Sequence, residues 1–309
     1  MGRVWAIAIN TFREAVRDKV LYGVLGFAIL VLLFTLALGE LSGNEARRSI
    51  HDIGVASISF FSVVIAIFLG SSLLYKEIER KTLYVILPKP IRRWQFLLGK
   101  YLGIVVTAVV FIAIMGAIQL WVAGVQAGAS VGQLLSLPLI AGLLLGLALW
   151  KSRDRTAVLL PWSLLFLAGS AAVLSGTDVP VMPLLSAFLL IFGEVMVLSA
   201  IALLFSSFST PFLTGAFSLG LWVVGRNADL LLAMRDQQVG PTLAPFLRGL
   251  ARVVPNLHLF VPGRHALDER AAVPWGLSEY VGTTMVYGIA YAAVLLCVAF
   301  LVFRRRDFI

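Results

Sequence analysis

Eight stretches of this chain are apolar for so long that they decide its environment before anything else. A bilayer's hydrocarbon core is about 30 Å thick and takes roughly 20 mostly apolar residues of helix to cross. Residues 20–38, 55–75, 101–122, 157–175, 181–205 and 280–303 meet that length; 134–150, which holds Pro138, and 212–225 fall slightly short. Composition agrees, since 60% of the 309 residues are hydrophobic, 13% are charged and the mean hydropathy is +0.96. A soluble domain is near half apolar and a quarter charged, and a globule of this size has too little interior to hide the excess. The expected fold is all-α, a polytopic transmembrane helix bundle of about eight spans over residues 1–309. A six-span version stays open, with 134–150 and 157–175 as a re-entrant pair. The single cysteine, Cys297, excludes an internal disulfide and a cysteine metal cluster. Charged residues from Arg3 to Lys19 precede the first apolar run, which reads as a retained span rather than a cleaved signal peptide.

Basic residues sort the loops into two sides. With eight spans, seventeen of the 25 Lys and Arg fall on the side of the N-terminus, including all six lysines. Six of the remaining eight belong to the long segment 226–278, and long loops obey the positive-inside rule poorly. Both termini are therefore expected in the cytoplasm. Omitting 212–225 would place Arg304, Arg305 and Arg306 outside, so the charge pattern supports that weak span.

Residues 3–19 put Trp5, Ala8, Ile9, Phe12 and Val16 on one helical face and Asn10, Arg13, Glu14, Arg17 and Asp18 on another. That pattern is an amphipathic helix along the inner leaflet, with Trp5 and Phe12 toward lipid and Arg13 and Arg17 near anionic headgroups; a solvated lead-in that only sets topology is the alternative. Residues 76–100 read KEIERKTLYVILPKPIRRWQFLLGK. Their charges alternate with Ile78, Leu83, Val85 and Ile86, and Pro88 and Pro90 then force a turn, because each lacks an N–H and restricts its predecessor. A second helix follows into the next span. A plain positive-inside loop needs only charge, whereas this one has the helix–turn–helix pattern of a docking element.

At these residues the chain resembles the permease subunits of type-2 ABC (ABC-2 type) exporters. The matching runs are TFREAVRDKVLY (11–22), KEIERKTLYVILPKPIRRWQFLLGKYLG (76–103), LLFSSFST (203–210) and FRRRDF (303–308). Within that family the chain looks like a branch that includes permeases for multicopper-enzyme maturation. The resemblance implies a bacterial or archaeal plasma membrane, a second permease copy or homologue, and cytoplasmic ABC ATPase subunits that bind ATP and Mg. It also implies that the coupling helix lies within 77–93, so that Glu77, Glu79, Arg80, Lys81, Pro88, Pro90, Arg92 and Arg93 meet the ATPase, braced by the N-terminal helix. Family members usually have six spans, and the hairpin 134–175 is the apparent addition. The chain has no G-x-x-x-x-G-K-[ST] of its own: Gly99-Lys100 is followed by Tyr101, with Trp94 where the first glycine belongs. It is accordingly read as lacking its own ATPase and as no enzyme.

Within the spans Glu194 stands out, because a carboxylate at mid-span needs a partner, a cavity or a proton. Transport pathway and interhelical contact, the latter through Ser186, Ser199 or another span, are both open. Gln119 reads as an interhelical hydrogen bond. The G-x-x-x-G pairs, Gly99/Gly103 among them, are a weak signal for helix packing in a chain with 27 glycines and assign no dimer face. No metal-ligand or catalytic spacing is present. Segment 226–278 is expected to form short helices near 230–234 and 246–254, either as an outer cap over the pathway exit or as a structured linker. Trp121, Trp222 and Trp275 near outer boundaries, and Trp94 and Trp150 near inner ones, suit an aromatic belt. The functional expectation is an exporter permease. Two other classes stay open: a non-transporting scaffold or mechanotransmitting module with a possible periplasmic partner, and a secondary transporter.

Overall fold

In the computed structural model, residues 2–41, 46–79, 92–152, 154, 156–233, 243–261 and 276–305 are described. In chain order the helices are α1 (Gly2–Arg17), α2 (Lys19–Leu41), α3 (Ala46–Glu79), α4 (Arg93–Gln126), α5 (Val131–Lys151), α6 (Leu159–Leu174), α7 (Val181–Ser206), α8 (Pro211–Arg226), α9 (Ala228–Ala233), α10 (Leu243–Val253), a 3-10 turn (Leu257–Phe260) and α11 (Leu277–Arg305). All eight apolar stretches are helical. Six of these helices, α2, α3, α4, α5, α7 and α11, are long and apolar enough to cross a bilayer, so the chain is a multi-pass membrane protein. The expected strengths are partly exchanged. The stretch at 134–150 lengthens into α5, 21 residues with the reciprocal Ser130–Gln133 cap at its start. The stretch at 157–175 contracts to α6, which like α8 has 16 residues, about 24 Å of helix.

The bundle has a centre and a margin. Of the apolar windows, 72% is buried in both α4 and α7 and 67% in α3, against 17% in α2, 22% in α11 and 6% in α5. Small residues let the central helices approach. A side chain at Gly70 would run into Ala202 of α7, one at Gly116 into Phe188 of α7, and one at Gly54 would overlap the amide of Gln119 on α4. Gln119 is thus buried in the α3–α4 contact. Helices α3 and α4 are each 34 residues, about 51 Å long, so both outlast the ~30 Å core.

Helix α1 lies across the start of α4 in a trough made by Gly99 and Gly103. Side chains there would press on Ile7 and Thr11 and come within 3.0 Å of Val4 O and 2.8 Å of Ala8 O. The trough fixes which face of α1 turns inward: Val4, Ala8, Thr11, Phe12, Ala15 and Val16 are buried and Trp5 is 52% exposed. Phe12, expected toward lipid, is instead buried with Val110 of α4, while Trp5 stays on the exposed side because Val4 and Thr11 seat against the glycines. Two charges tie the same helix down. Glu14 Oε2 lies 3.6 Å from Lys100 Nζ on α4, and Arg13 pairs with Asp154 in the turn between α5 and α6. A hydrogen bond from Thr156, then the bond and charge of Arg13, hold the Asp154 carboxyl below its usual range against the opposing effect of partial desolvation. Arg17, at the last turn of α1, is exposed.

Candidate functional site

Glu194 sits on α7 about 20 Å from one helix end and about 18 Å from the other, and it is wholly buried. Leaving a carboxylate there alone would be costly in a membrane interior. Two helices supply its partners. Ser59 of α3 donates its hydroxyl to Oε2 at 2.8 Å, and Trp222 of α8 donates its indole N–H to Oε1 at 2.8 Å. Arg226, one helical turn beyond Trp222 on the same face of α8, donates from Nη1 to Oε1 at 3.0 Å and to Ser59 Oγ at 3.0 Å. Its guanidinium carbon stands 5.4 Å from the centre of the Trp222 ring, a cation–π distance. Both carboxylate oxygens therefore receive donors, and the negative charge has a paired cation. Arg226 is 21% exposed in its side chain, so the pair is sealed on the Glu194 side and accessible on the other.

The chain turns back immediately after Arg226. Asn227 caps α8, its backbone N–H and side-chain N–H₂ both donating to Val223 O. The Arg226 carbonyl, another open end of the helix, is met by His258 Nδ1 at 3.2 Å. His258 Nε2 lies 3.8 Å from Asp229, whose other oxygen accepts from Asn256 Nδ2 at 2.8 Å. The segment then enters the bundle. Phe260 is fully buried, with its ring in a notch where side chains at Gly193 of α7 or Gly288 of α11 would collide with it. Gly193 is the neighbour of Glu194, so the 3-10 turn is wedged at the level of the ion pair. Tyr280 of α11 secures it by donating to Leu259 O at 2.7 Å, and Tyr291 donates to Val253 O at the end of α10 at 2.8 Å. The short helices expected near 230–234 and 246–254 are α9 and α10; the wedge was not foreseen.

The partners of Glu194 are Ser59, Trp222 and Arg226 rather than Ser186 or Ser199. Sequence reasoning placed Arg226 in an outer segment and Trp222 in an aromatic belt, yet both turn inward. The available signal was their four-residue spacing at the end of a short apolar helix, which puts an indole and a guanidinium on one face. Trp121 also points inward, donating to Leu134 O at 3.0 Å.

Of the residues at the 76–93 loop, Glu77 and Glu79 fall on the last turns of α3. Their side chains, together with Arg80, Lys81, Pro88 and Pro90, lie outside the described residues. Arg92 is exposed just before α4, its backbone N–H bonded to Gln95 Oε1 at 3.2 Å. Arg93 donates to Phe303 O at 3.3 Å and Arg304 O at 2.8 Å, capping the end of α11. Lys100 is 1% exposed and pairs with Glu14 as described above.

The arrangement is a polar tie among three helices in a membrane protein. A comparison with curated proteins found no match to the chain. A family model described as ABC-2 family transporter protein, however, matches residues 5–308, and over that span the chain belongs to the ABC-2 transporter family.

Proposed function

We propose that the chain is the membrane-spanning permease of an ATP-driven exporter, coupling ATP hydrolysis on separate ATPase subunits to movement of a substrate across the plasma membrane. Family membership over residues 5–308 is the observation that carries this reading. The packing at the start of α4 supplies its physical logic. Helix α1 is seated on Gly99 and Gly103 and tied by Glu14 to Lys100, so a push on the loop before α4 reaches α1 and α4 as one body. In this reading the loop meets the ATPase through Glu79 and Arg92, both termini are cytoplasmic, and two permeases form the pathway. ATP and Mg belong to the partner. Service to a multicopper-enzyme maturation system is the finest part of the proposal and rests on the run at 76–103.

The test is co-purification of the tagged chain with candidate ATPases from its own membrane, followed by ATP turnover in lipid. A stoichiometric ATPase that is lost on Glu79→Lys or Arg92→Glu, with insertion intact, supports the reading. Normal recovery and turnover in both variants removes the loop from its role. Recovery of the chain without any ATPase points to a scaffold or a secondary transporter.

A further inference from the structure

Helices α5 and α6 enclose a groove of about 450 Å³, and nearly all of its wall is carbon. Ile140, Leu144 and Ala148 line one side, and Trp162, Leu165 and Phe166 the other. The Trp162 and Phe166 rings are stacked 5.5 Å apart at 20°, which gives the α6 wall a flat aromatic surface. Gly169 faces the space with nothing within 4 Å of where its side chain would begin. Beside the lining residues, α5 exposes Leu139, Leu143 and Leu147, an apolar surface suited to hydrocarbon.

Length and charge identify the occupant. From Ser136 to Ala148 the lining runs about 18 Å along α5, slightly more than half of a ~30 Å hydrocarbon core, which is the depth of one leaflet. Just past Ala148, α5 ends in Trp150, 87% exposed, and exposed Lys151. An aromatic ring and a cation at that height are the side chains that meet headgroups. The acid of the same turn, Asp154, is already paired with Arg13, so it does not cancel Lys151. We propose that this groove holds one acyl chain of an anionic membrane phospholipid, its headgroup at Lys151. The site is independent of the ATPase reading.

The test places the full-length chain in phosphatidylcholine bilayers containing a few mole per cent of acyl-brominated phosphatidylglycerol or acyl-brominated phosphatidylcholine. Quenching of tryptophan fluorescence is read, and Trp162→Phe subtracts the groove's own signal. The expected result is saturable quenching in which the anionic lipid acts at about fivefold lower mole fraction, the effect of one well-placed cation. Lys151→Glu should remove the preference, and Gly169→Leu, which fills the space, should remove the saturable component. Lys151 is exposed, so its variant keeps the test decisive if Gly169→Leu does not fold. Equal quenching by the two lipids overturns the proposal, as does a saturable signal that survives Gly169→Leu. A change in particle mass in Gly169→Leu with quenching unaltered also overturns it, in favour of a helix from a second copy.

Discussion

The Glu194 site and the α5–α6 hairpin are both held by tryptophan indoles, but in opposite ways. At the centre Trp222 serves a side-chain carboxylate, within a network that also draws on Ser59 and Arg226 from two helices. At the margin Trp121 and Trp162 each serve a backbone carbonyl of α5, Leu134 O at 3.0 Å and Ala141 O at 2.9 Å. The Leu134 carbonyl is the one that Pro138, four residues on, leaves without its usual N–H. In hydrocarbon, with no water to complete it, that carbonyl needs a donor, and Trp121 brings one from α4. The lesson is that the centre specifies one arrangement through paired side chains, whereas the hairpin is pinned at two backbone points and leaves a groove between them.

The comparison breaks most severely at Arg226. Arg226→Ala leaves Glu194 buried with its cation gone, and removing one partner of a buried pair costs about 3–5 kcal/mol; thermal unfolding in detergent should show that loss. Restoring neutrality with the Glu194→Gln/Arg226→Ala double variant should recover part of it, and no recovery would mean that the two side chains act separately. Glu194→Gln alone should retain assembly and impair transport if the pair has a working role; unchanged transport would leave it with packing alone. Next comes Gly103→Leu, which drives a side chain into Thr11 and Ala8 of α1. Overpacking of that kind costs about 1–3 kcal/mol, and faster proteolysis of residues 2–17 should accompany it.

Trp121→Phe keeps the ring but strands the Leu134 carbonyl, an expected loss of about 1–3 kcal/mol. Because the hairpin is marginal, the loss should appear as increased hydrogen exchange within α5 rather than as global unfolding; uniform destabilisation would erase the contrast between the two regions. The smallest effect belongs to Asp154. Its carboxyl is held below the ordinary range in the folded chain, so its contribution is complete above the unfolded-state value and disappears as pH falls through the lowered one. Crosslinking between cysteines introduced in α1 and the α5–α6 turn should weaken over that acidic interval. Asp154→Asn should make the yield independent of pH there.

Much of the architecture was legible because the apolar stretches had to be helical in a bilayer, whatever they packed against. Boundaries were less so: Ser130 and Gln133 extend α5 backward through a cap made by polar residues outside the apolar run. Glu194 was recognisable by its cost. Its partners were not, because a bond between residues 59 and 194 or 194 and 226 depends on which helices are neighbours, and apolar periodicity carries no such address. Gly99 and Gly103 show the same limit. Their spacing was visible and weak, and only the position of α1 reveals that the small pair receives Val4 and Ala8 backbone. Tryptophans near span ends read as belt residues until the acceptors beneath Trp121 and Trp222 are located.

Arg93 joins two parts of the chain that are 211 residues apart. Its bonds to the carbonyls of Phe303 and Arg304 make the front of α4 and the tail of α11 a single fork, with one tine passing Gln119 in the α3 contact and the other carrying Gly288 to the Phe260 wedge. A tilt begun at the handle is divided between the tines, so strain arriving there reaches the bundle at two heights in the same stroke.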